Sequence, residues 1–247
     1  HRSYSMQLTS DLEDIQPGKV AKISYKIVND KNEVLKDYAV AHEKIMHLIL
    51  VRKDLQNFQH LHPDFNKSTG EFSLNVTFLE DGPYRIFPDF TPTPENPQKL
   101  TVTVYADLNV GDESKYISRT VTVDTSAVKP VDGYEVNYDL PEMFMAKTQL
   151  DYSLVVEKSG KSVILEPYLG AMGHGVIIKE GSLDFIHTHA VGMGSEGMSG
   201  KEHILHEGEP GTIDFSTTLP EPGVYKIFTQ FQLSGKVITT NYTVKAN

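Results

Sequence analysis

The chain has 247 residues, 39% of them hydrophobic and 23% charged, a composition that buries a core and is unlike a disordered tail. Its 23 Lys and Arg against 33 Asp and Glu give a net charge of −10, which disfavours nucleic acid and anionic membrane surfaces and favours a cation as ligand. Cysteine is absent beside 10 His and 7 Met, which excludes disulfides, thiolate catalysis, Cys zinc fingers, iron–sulfur clusters and Cys-ligated blue copper; a metal here must rest on imidazole, carboxylate or thioether.

In chain order, His1-Arg2-Ser3-Tyr4-Ser5-Met6 has no apolar core of a signal peptide. No window approaches the ~18 to 20 consecutive apolar residues of a membrane helix, so no integral membrane segment is expected. Runs rich in Val, Ile, Thr, Tyr and Phe follow at 20–28, 46–51, 72–78, 100–105, 117–123, 150–156 and 237–244, separated by Gly, Pro, Asn and Asp. Short strands at this spacing without long helical periodicity predict an all-β sandwich. Val128-Lys129-Pro130-Val131-Asp132-Gly133 reads as a break between domains. Residues 192–200 form a Gly-, Ser- and Met-bearing segment that fits neither strand nor helix.

Self-similarity is the most informative feature. Ser24-Tyr25-Lys26-Ile27-Val28 matches Asp151-Tyr152-Ser153-Leu154-Val155 at an offset of 127, which also carries His47, Phe58, His60 and His62 onto His174, Phe185, His187 and His189. Gly82-Pro83-Tyr84-Arg85-Ile86-Phe87 matches Gly223-Val224-Tyr225-Lys226-Ile227-Phe228 at an offset of 141, so the second copy carries 14 extra residues after His189. The expectation is two tandem immunoglobulin-like or cupredoxin-like β-sandwich domains related by duplication, over 1–126 and 127–247, with a Met/His-bearing insertion at 190–208 in the second.

Each copy holds one histidine, twelve intervening residues and then His-x-His, within a hairpin pattern. Turns centred on Lys53-Asp54 and Glu180-Gly181 would put His47 directly across from His60, and His174 across from His187. His60 and His62 then share a face with ~6.5 to 7 Å spacing, and the cross-strand His lies ~5 Å from its partner, so three imidazoles converge. Ile49, Val51 and Phe58 in the first copy, and Val176, Ile178 and Phe185 in the second, extend the same face as an apolar stripe, which predicts histidines at one edge of the sandwich core. A lone His on an apolar face is usually a core histidine bonded to a carbonyl; three together are hard to satisfy without a cation.

Further candidate ligands differ between the copies. The first offers His42, Glu43, Asp64 and Asp89, with Gln230 standing where Asp89 does in the second. The second offers Met172 and, in the insertion, Met193, Met198, Glu202, His203 and His206. Carboxylate with imidazole suits zinc or copper(II), and thioether with imidazole suits copper(I). Among these, the methionines also read as core filler or exposed loop. No phosphate-binding loop, nucleophile elbow or His-Glu-x-x-His helix occurs.

The run His42-Glu43-Lys44-Ile45-Met46-His47-Leu48-Ile49, with Phe58-Gln59-His60-Leu61-His62-Pro63 and Gly82-Pro83-Tyr84-Arg85-Ile86-Phe87-Pro88-Asp89-Phe90, resembles YtkA-like immunoglobulin-type domains of bacterial secreted or lipid-anchored proteins. The resemblance is closest over 42–90 and fainter over 173–228, where Ala190 replaces the proline that follows His62. It implies an extracytoplasmic β-sandwich linked to metal, often copper, handling. The combined expectation is a non-enzymatic protein with metal sites at His47/His60/His62 and His174/His187/His189, copper favoured over zinc, serving storage, delivery or resistance. A metal transporter or another extracytoplasmic protein is the implied partner, and nucleic acid is not. A metal-free structural or partner-binding module, and a three-His enzyme with Glu43 or Glu202 as base, are the competing readings.

Overall fold

In a computed structural model, residues 3–12, 14–93, 100–191 and 210–247 are described. The chain divides into two compact units, 1–119 and 120–247. Their elements are all β among the described residues, apart from a single 3-10 turn at Glu113–Lys115.

The first unit contains β1 (Tyr4–Leu8), β2 (Val20–Asn29), β3 (Tyr38–Ala39), β4 (His47–Arg52), β5 (Gln59–Leu61), β6 (Asp64–Asn66), β7 (Glu71–Thr77), β8 (Gly82–Pro92), β9 (Val102–Thr103) and β10 (Ala106–Val110). They form two antiparallel sheets, ordered β1-β2-β7-β6 and β10-β8-β4-β5, with β3 and β9 also on β8. Alternating residues of both sheets meet in one core: Ile23, Tyr25, Ile27 and Phe72 from the first, Leu48, Leu50, Tyr84 and Ile86 from the second. This is the period-2 burial a sandwich requires.

The second unit contains β11 (Val128–Val131), β12 (Tyr134–Asp139), β13 (Gln149–Lys158), β14 (Lys161–Ser162), β15 (His174–Lys179), β16 (Phe185–His189), β17 (Thr212–Thr218), β18 (Gly223–Leu233) and β19 (Lys236–Ala246). One sheet runs β11-β12-β13-β14 with β17 on β13, the other β16-β15-β18-β19. Its core joins Leu150, Tyr152, Leu154, Ile213 and Phe215 to Ile177, Tyr225, Ile227, Phe231 and Tyr242. The all-β, two-sandwich expectation is borne out. β4 and β15 begin 127 residues apart, and β7/β17 and β8/β18 begin 141 apart, as the internal repeat requires.

Two expected strands differ. Of 100–105 only Val102–Thr103 forms a strand, with Val104 N–H donating to Pro88 O at 3.1 Å, and 117–123 forms no strand. Ile117 is 80% exposed, and the segment is tied instead by Arg119 N–H donating to Asp54 Oδ2 at 3.0 Å. β-branched content favours a pleated, half-buried surface, and without a partner strand it does not create one. Beyond this segment, the Asp124 carboxylate accepts from Thr243 N–H at 2.8 Å and pairs with Lys129, attaching 124–129 to the second sandwich.

Candidate metal centre

The histidine hairpins form, with a register two residues from the expected one. Ile49 pairs with His60 and Leu48 with Leu61, which leaves His47 opposite His62; in the second unit His174 pairs with His189 and Val176 with His187. The turns are longer than the two residues expected. In the first, Arg52 N–H donates to Gln56 O at 2.9 Å, and Leu55 and Asn57 take φ of 60° and 54°. Each turn also buries a leucine at positive φ, Leu55 at 60° in the first and Leu183 at 61° in the second, and in the first Asp54, which reads as an exposed turn residue, is buried too, receiving Arg52 Nε and Nη2 at 2.8 and 2.7 Å. Because side chains alternate with period 2, a two-residue slip leaves each histidine on its expected face.

That face points away from the core. Leu48 and Leu50 of β4 lie in the first core, and Ile177 of β15 in the second, so His47, Ile49 and Val51, like His174, Val176 and Ile178, lie on the opposite side of their strands. The expectation that the histidines sit at an edge of the sandwich core is therefore corrected. They remain shielded: His47 is 3% and His174 1% exposed, while the His-x-His pairs are half-buried.

The nitrogens of each triplet converge, all within 4.8 Å of one another. In the first unit His47 Nδ1 lies 3.0 Å from His60 Nε2 and 3.2 Å from His62 Nε2. His47 Nε2 sits 3.0 Å from the Ala41 carbonyl oxygen, which can only accept, so Nε2 carries the proton and Nδ1 presents its lone pair to the other two rings. In the second unit His174 Nε2 likewise donates to Tyr168 O at 2.9 Å, while His174 Nδ1, His187 Nε2 and His189 Nε2 are buried. The same three nitrogen types are thus presented twice.

Metal–imidazole bonds of 2.0 to 2.1 Å at angles between 90° and 120° imply nitrogen separations of about 2.8 to 3.6 Å, and the first site's 3.0 and 3.2 Å fall within that range. One Nδ1 lone pair cannot fully accept two N–H donors, whereas three lone pairs can share one cation. Burial, the main influence, lowers the His47 pKa against the raising effects of the Ala41 hydrogen bond and Asp89. The neutral ring needed for ligation is therefore the favoured form.

The carbonyls that orient these rings come from tight turns that sequence reading missed. Ala41 and Lys44 exchange backbone hydrogen bonds of 2.8 and 3.1 Å around His42 and Glu43, whose φ values are 49° and 65°. Tyr168 and Ala171 do the same around Leu169 and Gly170, at φ of 51° and 73°. Two central residues at positive φ are the tight-hairpin signature. Only Leu169-Gly170 hints at it in sequence, since His42-Glu43 carries no glycine.

The remaining candidates are placed as follows. The His42 ring centroid lies 6.5 Å from that of His47, and His42 is outside the three-His group. Glu43 and Asp64 are exposed. Asp89 is buried directly across from His47 on β8 and accepts from Thr103 Oγ1 at 2.5 Å; burial pushes its carboxyl up to about 6 despite the opposing effects of Thr103, His47 and His42. Met172 packs against the second core, so this thioether serves packing. Met193, Met198, Glu202, His203 and His206 lie outside the described residues.

A family model described as "Domain of unknown function (DUF8832)" matches residues 2–111 and 129–247. No curated protein matches the chain. Among solved structures it is similar to Salmonella alpha-2-macroglobulin reacted with methylamine, at 11% identity and a TM-score of 0.28 over 99% of this chain and 15% of that one. Trypsin-activated alpha-2-macroglobulin from Escherichia coli gives the same values. A putative membrane anchored protein from Corynebacterium diphtheriae gives 11% identity and a TM-score of 0.27 over 98% of this chain and 57% of that one. The chain thus spans about 15% of the length of the macroglobulin chains it matches.

Proposed function

The chain belongs to the DUF8832 family, and we propose that it is an extracytoplasmic metal-binding protein that holds one ion in the three-His site of each sandwich, copper in preference to zinc. The observation that carries the reading is the repeated convergence of Nδ1, Nε2 and Nε2 from each hairpin, with the first ring oriented by a turn carbonyl. A backbone acceptor on the non-ligating nitrogen is the outer-shell arrangement that fixes the tautomer of a metal-bound histidine. The net charge of −10 favours cation capture. Copper and the extracytoplasmic location rest on the resemblance to YtkA-like domains, which also suggests storage, delivery or resistance, with a transporter or another extracytoplasmic protein as partner.

Binding is preferred to turnover at the first site because Asp89, the carboxylate paired across from His47, is buried in the sheet against Thr103, a poor place for a base that must exchange protons with a substrate. The test is elemental analysis after loading with copper or zinc and removal of free metal. Two ions per chain are expected, one being lost in His60→Ala/His62→Ala and the other in His187→Ala/His189→Ala. No metal above background after loading would refute the proposal.

A further inference from the structure

The two triplets match nitrogen for nitrogen, yet the side chain next to the buried imidazole across the sheet does not. In the first unit the cross-strand row reads Thr103, Asp89, His47, and then His62. In the second it reads Thr239, Gln230, His174 and His189. Directly paired residues on neighbouring antiparallel strands share a face, with Cβ atoms about 4.5 to 5.5 Å apart. Asp89 and Gln230 are therefore each one strand from the buried ring, both buried themselves. Thr103 donates to the Asp89 carboxylate at 2.5 Å, whereas the Gln230 amide donates to Thr239 Oγ1 at 2.9 Å. The threonine keeps its place while its role reverses from donor to acceptor, and at this position a formal negative charge stands beside the first triplet where a neutral amide stands beside the second.

We propose that Asp89 makes the first site selective for divalent over monovalent ions, and that the second site, with Gln230 in the same place, lacks this selectivity. The inference rests on the metal-binding reading above. Three neutral imidazoles leave the charge of a bound ion uncompensated, and the cost of holding that charge away from water grows with its square. The attraction of a fixed carboxylate grows in proportion to the ion's charge, so it offsets more for a divalent than for a monovalent ion. An amide dipole whose N–H is turned to a threonine supplies no such charge.

The experiment uses the full chain with one site removed at a time. His187→Ala/His189→Ala isolates the first site and His60→Ala/His62→Ala the second, and each is titrated with Zn2+ and with Ag+ against a competing chelator. The preference for Zn2+ over Ag+ is expected to be greater at the first site by on the order of tenfold. Asp89→Asn should lower Zn2+ affinity there by on the order of a hundredfold and Ag+ affinity by on the order of tenfold, because the attraction scales with the ion's charge. Gln230→Glu should raise the Zn2+ preference of the second site, which keeps the proposal testable if Asp89→Asn misfolds. Equal Zn2+/Ag+ preference at the two sites, or an Asp89→Asn variant that weakens both ions alike or neither, would overturn it. Binding of neither ion at either site would overturn the metal-binding reading itself, and this proposal with it.

Discussion

The two units present the same imidazole nitrogens on scaffolds that have diverged beneath and beside them. In the inner layer, Met46 and Leu48 of the first unit correspond to Gly173 and Gly175 of the second at the 127-residue offset, and Leu74 corresponds to Phe215 at the 141-residue offset. A Cβ on Gly173 or Gly175 would lie 3.3 Å from the Phe215 ring in either case, so one aromatic side chain takes space that two aliphatic ones fill in the first unit. At the far end of the hairpin, the buried Arg52–Asp54 pair with Glu80 is replaced by Lys179–Glu221, whose carboxylate is largely exposed, with Gly181 in place of Asp54. Successive side chains of a strand face opposite ways, so the core face can repack and the turn can change its charges while the outward histidines stay in register.

The sharpest break in that comparison is expected at the hairpin turns. Asp54→Ala leaves Arg52 buried and short of its carboxylate, a loss expected to cost about 3 to 5 kcal/mol. Glu221→Ala removes an exposed partner and is expected to cost less than about 1 kcal/mol. Urea denaturation of both variants measures the contrast, and similar losses would show that the two turns are held alike.

The inner layer should respond next. Gly175→Leu brings a side chain against Thr188, whose Cγ2 lies 2.7 Å from where a Cβ on residue 175 would sit, and overpacking of this kind is expected to cost about 1 to 3 kcal/mol. Adding Phe215→Leu, which restores the first unit's arrangement, should recover part of it. If the double variant is no more stable than Gly175→Leu alone, as read from thermal denaturation, the exchange of volume between these positions is wrong.

Asp89 distinguishes the units through pH. Its carboxyl is raised from 3.8 to about 6 in the folded chain, so the folded state binds the proton more tightly than the unfolded state. The stability this contributes is fully present below 3.8 and is lost as pH rises through about 6. Asp89→Asn, which resembles the second unit's Gln230, should therefore stabilise the metal-free protein above pH ~6, by up to about 3 kcal/mol, with the gain shrinking toward pH ~4. Unfolding free energies of both proteins across that window, with chelator present, test the sign. A gain independent of pH would mean that charge burial is not its source.

The smallest effect concerns the ring-orienting turns. Glu43→Gly gives the first turn the glycine that Gly170 supplies in the second and relieves a positive φ of 65°, with an expected stabilisation of about 0.4 to 1 kcal/mol. Because the Ala41 carbonyl keeps its place, metal stoichiometry should be unchanged. Loss of an ion in this variant would mean that Glu43 contributes more than backbone geometry.

Much of the site was legible in the sequence because it rests on short-range periodicity. His60 and His62 must share a face, and repetition of the triplet at one offset marked it as a unit. The register was misread because each turn is longer than two residues and buries side chains that read as exposed loop, Leu55 and Asp54 in the first and Leu183 in the second, and such burial depends on partners far along the chain. The strand expected at 117–123 failed for a related reason: its β-branched residues were legible, but the lack of an adjoining strand was not.

By itself, the sequence determined the all-β class, the duplicated organisation and the two sets of three imidazoles, since alternation and repetition are properties of neighbouring residues. Tertiary structure alone decided that those imidazoles face away from the core, that the Ala41 and Tyr168 carbonyls fix the first ring's proton, and that Asp89 and Thr103 adjoin one site where Gln230 and Thr239 adjoin the other. Each of these depends on which strands or turns are brought side by side. That pairing is set by the burial of two whole sheet faces, which no local pattern encodes.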